Sequence, residues 1–158
     1  MPALQLRRGE TLPVVAPVLT PQAVEVGDIV ALSAGNVIRA EDFTWTTDLP
    51  TTQAAFTLAF LGISGQRKVV NVARVLAAGR DNRMRIDCDG FYEADCASAT
   101  FNVGDFVGPA KAAGNALLSQ TVIGVADAAH AIGVVVEQAT SVTRVRFKAL
   151  SKLVPQAR

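Results

Sequence analysis

The run Arg83-Met-Arg-Ile-Asp-Cys-Asp89 sets the strongest constraint on how this chain folds. Met84, Ile86 and Cys88 fall on one side of it, and Arg83, Arg85, Asp87 and Asp89 on the other. Successive side chains of a strand point to opposite faces, so this period of two specifies a strand with one face in a core and one in water. The rest of the chain repeats the pattern in shorter pieces. Apolar, β-branched stretches recur around Val24–Val30, Val37–Arg39, Leu58–Ser64, Lys68–Ala77, Phe101–Val107, Thr121–Val125, Ile132–Glu137 and Ser141–Leu150, most of them followed by a turn with Gly, Asn or Asp. Short strands at such spacing, with few helical stretches between them, indicate a barrel or sandwich.

One turn is written twice. Val26-Gly-Asp-Ile-Val30 and Val103-Gly-Asp-Phe-Val107 share the order apolar, Gly, Asp, apolar, Val. Glycine supplies the positive φ of a tight turn, and the aspartate carboxylate can accept from a nearby backbone amide before the chain straightens. The echo continues in Leu61-Gly-Ile63 and Ile132-Gly-Val134. The pattern is compatible with an internal duplication and with one turn solution used twice.

Other local signals fill in the outline. Ala34-Gly-Asn36 predicts a hairpin turn between a strand that follows the Gly27-Asp28 turn and a return strand at Val37–Arg39, and Gly79–Asn82 a turn ahead of Arg83. In Asp48-Leu-Pro-Thr-Thr-Gln-Ala-Ala-Phe56, Asp48 suits a helix cap and Pro50 the first helical turn, which predicts one short helix. The strand Ser141–Leu150 alternates imperfectly and predicts a bulge near Thr143. Residues 1–22 carry Pro2, Pro13, Pro17 and Pro21, a spacing that favours extended chain. They also carry Leu4, Leu6, Arg7, Arg8, Val14, Val15, Val18 and Leu19. A solvated tail has little use for that many aliphatic side chains, so the segment is expected to be a strap over its own fold or a neighbouring subunit. The division expected is an extended arm over 1–22, a single β-barrel domain over 23–150 and a frayed tail over 151–158.

Composition narrows the functional classes. The chain has 158 residues, enough to bury a core without metal or disulfide staples. With 15 basic and 14 acidic residues its net charge is +1, which excludes a general polyanion binder and argues against nucleic acid or an anionic membrane as partner. Half of the residues are apolar but few are aromatic, an excess of Ala, Val, Leu and Ile that suits subunits packing against neighbours. No run is long and apolar enough to span a bilayer, and the start lacks a basic-then-apolar leader, so synthesis in a cytosol is expected.

Chemistry-bearing patterns are sparse. Cys88 and Cys96 are too few for a metal cage, and the sole histidine, His130, lies in a small-residue turn without a nucleophile motif beside it. Asp87, Asp89, Glu93 and Asp95 are the metal candidates, since Asp-Cys-Asp-Gly-Phe-Tyr-Glu-Ala-Asp offers oxygen ligands around Gly90. It lacks the full calcium loop and its closing Glu, and a solvated hairpin tip accounts for the same residues. Neither a phosphate-cradling loop nor a dinucleotide fingerprint is present, so no cofactor and no catalytic residue is assigned. Lys111 stands in Gly-Pro-Ala-Lys-Ala-Ala-Gly-Asn without the flanking residues of a biotinyl or lipoyl carrier lysine.

From Gly90 onward the order of motifs is a Gly-Phe hairpin at Gly90-Phe91, Val103-Gly-Asp-Phe-Val, Ala-Gly-Asn at 113–115, Ile123-Gly-Val-Ala, Ile132-Gly-Val-Val-Val-Glu137 and Val142-Thr-Arg-Val-Arg-Phe147. This order resembles the capsid decoration, or cement, proteins of tailed bacteriophages. The resemblance covers residues 24–150 and is strongest after Met84. It implies a mainly β fold, a small β-barrel or β-tulip-like domain with one short helix and an extended N-terminal arm. It further implies a non-enzymatic virion protein, made in the bacterial host cytoplasm and bound to the outer face of the head. Its partners would be the major capsid protein and itself, as a homotrimer, with the arm touching the lattice. Residues 41–53 have no counterpart in that pattern. The alternative classes are an intracellular carrier or enzyme-associated β-barrel module, with Lys111 or the acidic residues as its working group, and a tail or baseplate subunit.

Overall fold

A computed structural model describes residues 4–8, 12–72 and 82–153 of the chain. Its elements, in order, are β1 (Gln5–Arg8), β2 (Pro13–Pro17), β3 (Ile29–Ser33), β4 (Asn36–Arg39), α1 (Leu49–Ala59), β5 (Phe60–Ser64), β6 (Arg83–Asp87), β7 (Phe91–Phe101), β8 (Phe106–Lys111), β9 (Leu117–Val125), β10 (Gly133–Val135) and β11 (Ala139–Ala149). Short 3-10 turns at Ala40–Asp42 and Ala128–His130 follow β4 and β9. The fold is mainly β with one short helix, as the alternation and turn spacing predict.

The two Val-Gly-Asp turns are built alike to the level of single hydrogen bonds. Gly27 and Gly104 have φ of +87° and +96°. The Asp28 carboxylate accepts from Glu25 N at 2.8 Å, and the Asp105 carboxylate from Asn102 N at 2.8 Å. Gly27 N donates to Ser64 O while Ser64 N donates to Asp28 O; Gly104 N donates to Val135 O while Val135 N donates to Asp105 O. The register then stays in step. Ile29 faces Ile63 and Val30 faces Gly62, as Phe106 faces Val134 and Val107 faces Gly133.

This correspondence extends to whole sheets. One sheet has the order β2-β6-β5-β3-β4, and the other contains β7-β11-β10-β8-β9. Numbered within each half, both read first, fifth, fourth, second, third strand. The second half closes into a five-stranded barrel through a parallel contact of β7 with β9, Asp95 facing Thr121 and Cys96 facing Val122. In the first half β2 and β4 approach each other without pairing, so that sheet is curled but open. The structure thus decides between the two readings of the repeated turn: it belongs to a repeated five-stranded unit.

The cores obey the same rule. Val30, Val37, Leu61, Met84 and Ile86 line the smaller core inside the first half, and their register partners Val107, Val122, Ile132, Val145 and Phe147 line the barrel of the second. The other side of β3 and β5 presents Ile29, Ala31, Phe60 and Ile63 to that larger core, where Phe56 of α1 joins them. Helix α1 locks the halves together: Gln53 Nε2 donates to Pro109 O at 2.9 Å, and Thr57 Oγ1 donates to Ala131 O at 3.4 Å. Burying aliphatic and aromatic side chains on both faces of β3 and β5 makes the halves one body.

Several expectations need correction. The N-terminal segment is extended, as its prolines require, but it is not a separate arm. β1 pairs with the edge of β7 and β2 is the first strand of the first sheet. Leu4 and Val18 enter the two cores, because buried positions on the chain's own sheets are the nearest apolar surface. Gly90-Phe91 is not a hairpin: β6 and β7 lie in different sheets, and Gly90, at φ +120°, turns the chain between them. The helix starts where expected, with Asp48 Oδ1 accepting from Thr51 N, but runs on through Leu58 to Ala59. No Gly or Pro stands between Pro50 and Gly62 to stop it sooner. The bulge near Thr143 is present, marked by register shifts on both sides of Val142 and by Ser141 at φ +52°. Of the strand expected over Lys68–Ala77, residues 68–72 are described: Lys68 bridges to Val24, and the chain turns at Val70–Asn71. Residues 73–81 and 154–158 lie outside the described residues, and with them most of the turn expected at Gly79–Asn82 and the end of the tail.

Cys88 and Cys96 are free and buried. Burial pushes the Cys88 thiol from its ordinary 9.0 up to about 11. The unfolded chain therefore gives up that proton from about pH 9, whereas the folded chain holds it to about pH 11, so this group's contribution to stability is lost as pH rises across that window. Urea midpoints measured at pH 8 and pH 10.5 should fall for the native chain, and less steeply for Cys88→Ala.

Candidate functional site

The acidic residues do not converge on a metal centre. Asp87, on β6, lies 3.0 Å from Arg85 Nε. Asp89, in the crossover, accepts from Gly90 N and faces Lys148 Nζ at 3.9 Å. Glu93 and Asp95 project from the outer face of β7 and meet Arg144 and Arg146 of β11: Glu93 lies 3.2 Å from Arg144 and 2.9 Å from Arg146, and Asp95 lies 3.3 Å from Arg144. Arg146 also reaches Glu137 at 3.0 Å. Each carboxylate is thus met by a cation, and no group of three or more His, Cys, Asp or Glu among the described residues can hold a metal ion. The register explains this, since it sets Asp95 opposite Arg144 and Glu93 opposite Arg146.

The remaining single candidates are also engaged. His130 Nδ1 lies 2.7 Å from Asp127 Oδ1 in the 3-10 turn, a contact made within one turn of chain. Lys111 ends β8 with its ammonium 5.6 Å from the centre of the Trp45 ring, a cation–π contact.

A different surface emerges when the two halves are compared position by position. On the second half, the outer side of the first and fifth strands carries the ion ladder just described. On the first half, Val15 faces Arg85 where Glu93 faces Arg146, and Pro17 faces Arg83 where Asp95 faces Arg144. Both acids of the ladder are replaced by apolar residues. Arg85 turns to Asp87, while Arg83 has no ion pair among the described residues. Val15 is 54% exposed, Leu19 is 54% exposed and Leu12 is also out in water. Asn71 N donates to Thr20 O, which brings the segment of Leu19 alongside that of Val69, Val70 and Val72, all exposed. Of the expected arm contacts, Val15 and Leu19 are therefore free to meet a partner, Val14 packs against the small core, and Leu4 and Val18 are spent inside. The side chains of Leu6, Arg7 and Arg8 lie outside what is described. The signal that sequence reading missed was comparative: the face is visible only once Val15 is aligned with Glu93.

Comparison with family models, with curated proteins and with solved structures found no match to this chain.

Proposed function

We propose that this chain is a structural virion protein of the capsid decoration type, which binds the outside of a tailed-phage head and ties neighbouring capsid subunits together. The observation that carries the reading is the β2–β6 face, where an internal repeat exchanges a closed ion ladder for exposed Val15, Pro17 and Leu19 beside Arg83, which has no ion pair among the described residues. Monomeric proteins seldom keep contiguous apolar side chains in water without a binding role. The motif order from Val103 to Phe147 supports the same reading. On a lattice, a modest contact repeated by many copies, or by the arms of a homotrimer, is strengthened by multivalency.

The test uses the full chain. Removing residues 1–21 would take away β2 and the buried Leu4 and Val18, so a truncated protein would lose its fold and could not report on docking. Instead, Val15→Asp, Leu19→Asp and Arg83→Glu alter only exposed positions. Wild type should co-sediment with empty heads stripped of decoration and raise their melting temperature. The triple variant, with an unchanged circular dichroism spectrum, should bind at least about tenfold more weakly, because two aliphatic side chains no longer leave water on docking and one charge is reversed. Equal binding by both proteins would remove this face from the proposal, and no binding by wild type would remove the proposal itself.

A further inference from the structure

The repeat has two equivalent grooves, and the described chain fills only one. Each lies at a Val-Gly-Asp turn, between the segment that precedes the turn and the end of the third strand of its unit. In the first half the groove is walled by Glu25, Asp28, Arg39 and Glu41, and the start of β9 from the second half lies in it. Gln120 Nε2 donates to Asp28 Oδ1 at 2.8 Å, and Glu41 N donates to Ser119 Oγ at 3.1 Å. A residual cavity of about 320 Å³ remains beside Leu118, and Asp28 is only 3% exposed. This β9 segment is available because the second half's hairpin between its second and third strands is longer than the first half's.

The second groove is walled by Thr100 and Phe101 before the turn, by Asp105 and Phe106, and by Gly124 and Ala126, of which Asp105, Gly124 and Ala126 stand where the first groove has Asp28, Arg39 and Glu41. None of the described residues enters it, and it stands open with a volume of about 500 Å³. β7 and β9 pair only at Asp95–Thr121 and Cys96–Val122 and then diverge along its sides. Asp105 is exposed, is the one charged residue of the walls, and has no ion pair among the described residues. Val103 stands beside it, 67% exposed.

We infer that the second groove receives an extended segment of a different protein, one that presents a side-chain amide or cationic donor to Asp105 with an apolar residue next to it. The chemistry is that of the filled groove: Gln120 gives its amide to Asp28, and Leu118 lies alongside. An exposed carboxylate without an ion pair among the described residues selects a donor, and Phe101, Phe106 and Val125 give an apolar neighbour side chains to lie against. The Leu118–Gln120 segment of a second copy is not the occupant, because it already lies in that copy's own first groove. The inference goes beyond the capsid reading and holds whether or not the β2–β6 face binds a head.

The chain itself supplies a probe. A capped peptide of residues 116–122, Ala-Leu-Leu-Ser-Gln-Thr-Val, reproduces the segment that fills the first groove. Titrated at low-millimolar concentration into the ¹⁵N-labelled full-length protein, it should shift the amides of Gly104–Phe106 and Gly124–Ala126 saturably. A peptide with Ala in place of the glutamine should bind about tenfold more weakly, as should wild-type peptide on Asp105→Asn, which keeps the acceptor for Asn102 N. Gly124→Leu should abolish the shifts: a Cβ there meets nothing closer than Phe101 at 3.6 Å, so the side chain stands in the groove without straining the fold. Absence of shifts would overturn the inference, as would shifts at Glu25, Asp28 and Glu41, which would mean that the peptide displaces β9 instead. Movement of the second-groove amides on dilution without peptide would assign the groove to a second copy and overturn it too.

Discussion

Gly62→Ala should remove most of the protein's stability, although it adds one methyl group. The new Cβ would lie 2.3 Å from the carbonyl oxygen of Asp87 and 3.0 Å from its carbon, inside a strand flanked by β3 and β6. The obstructing atoms are backbone, so relief requires β6 to move away from β5, with its buried Met84 and Ile86. Overpacking costs about 1–3 kcal/mol where side chains can adjust, and about 3 kcal/mol or more is expected here. For a chain of this size that is a fall in melting temperature of about 10 °C, or loss of soluble expression. Gly124→Ala is the control, since its Cβ would touch only the Phe101 ring at 3.6 Å; it should melt within about 2 °C of wild type. Calorimetry on both variants checks the claim, and equal melting temperatures would refute it.

Lys68→Ala should be nearly as damaging. Lys68 is 1% exposed, and its ammonium donates to Thr20 O at 2.7 Å, Gln22 O at 2.8 Å and Val69 O at 3.2 Å. Its backbone exchanges two further hydrogen bonds with Val24. One side chain therefore ties the loop after β2 to the segment after β5, and truncation takes a charged donor from three carbonyls, of which Thr20 O keeps Asn71 N and Val69 O keeps Val72 N. A loss of about 3 kcal/mol in urea denaturation is expected. Lys68→Met fills more of the space without restoring the donors, so it should recover only part of that loss; full recovery would show that packing, not hydrogen bonding, sets the contribution. Burial lowers the Lys68 pKa below its ordinary 10.5. The unfolded chain then binds the proton more tightly, so in this respect stability rises with pH up to about 10.5, opposite in sign to the Cys88 effect.

Much of the fold was legible because its local chemistry and its tertiary packing agree. Asp48 and Pro50 start the helix, Ala34-Gly35-Asn36 turns the first hairpin, and both Val-Gly-Asp turns form as their residues suggest. The step from β6 to β7 was not legible. Met84, Ile86 and Cys88 face one core and Tyr92, Ala94 and Cys96 the other, so the alternation passes in phase through Gly90 and carries no sign that the chain has changed sheets. The repeat was hidden for a related reason. Core positions keep apolar character and rough volume, with Met84 matched by Val145 and Ile86 by Phe147, so few letters persist outside the turn, among them Gly62 with Gly133 and Arg83 and Arg85 with Arg144 and Arg146. The exposed apolar β2–β6 face and the open groove were out of reach of sequence reading because each is defined by a difference between equivalent positions, and the equivalence comes from register.

The unequal outer faces of the two halves give the molecule a front and a back. The β7–β11 side pairs its arginines with carboxylates of its own, while the β2–β6 side keeps valine, leucine and an arginine without an ion pair among the described residues. A particle coated through the second face would show its surroundings only the first. Such a coat would add a layer without making one particle adhere to the next, and would stop at a single layer because a bound copy offers no further landing surface of the kind it used to bind.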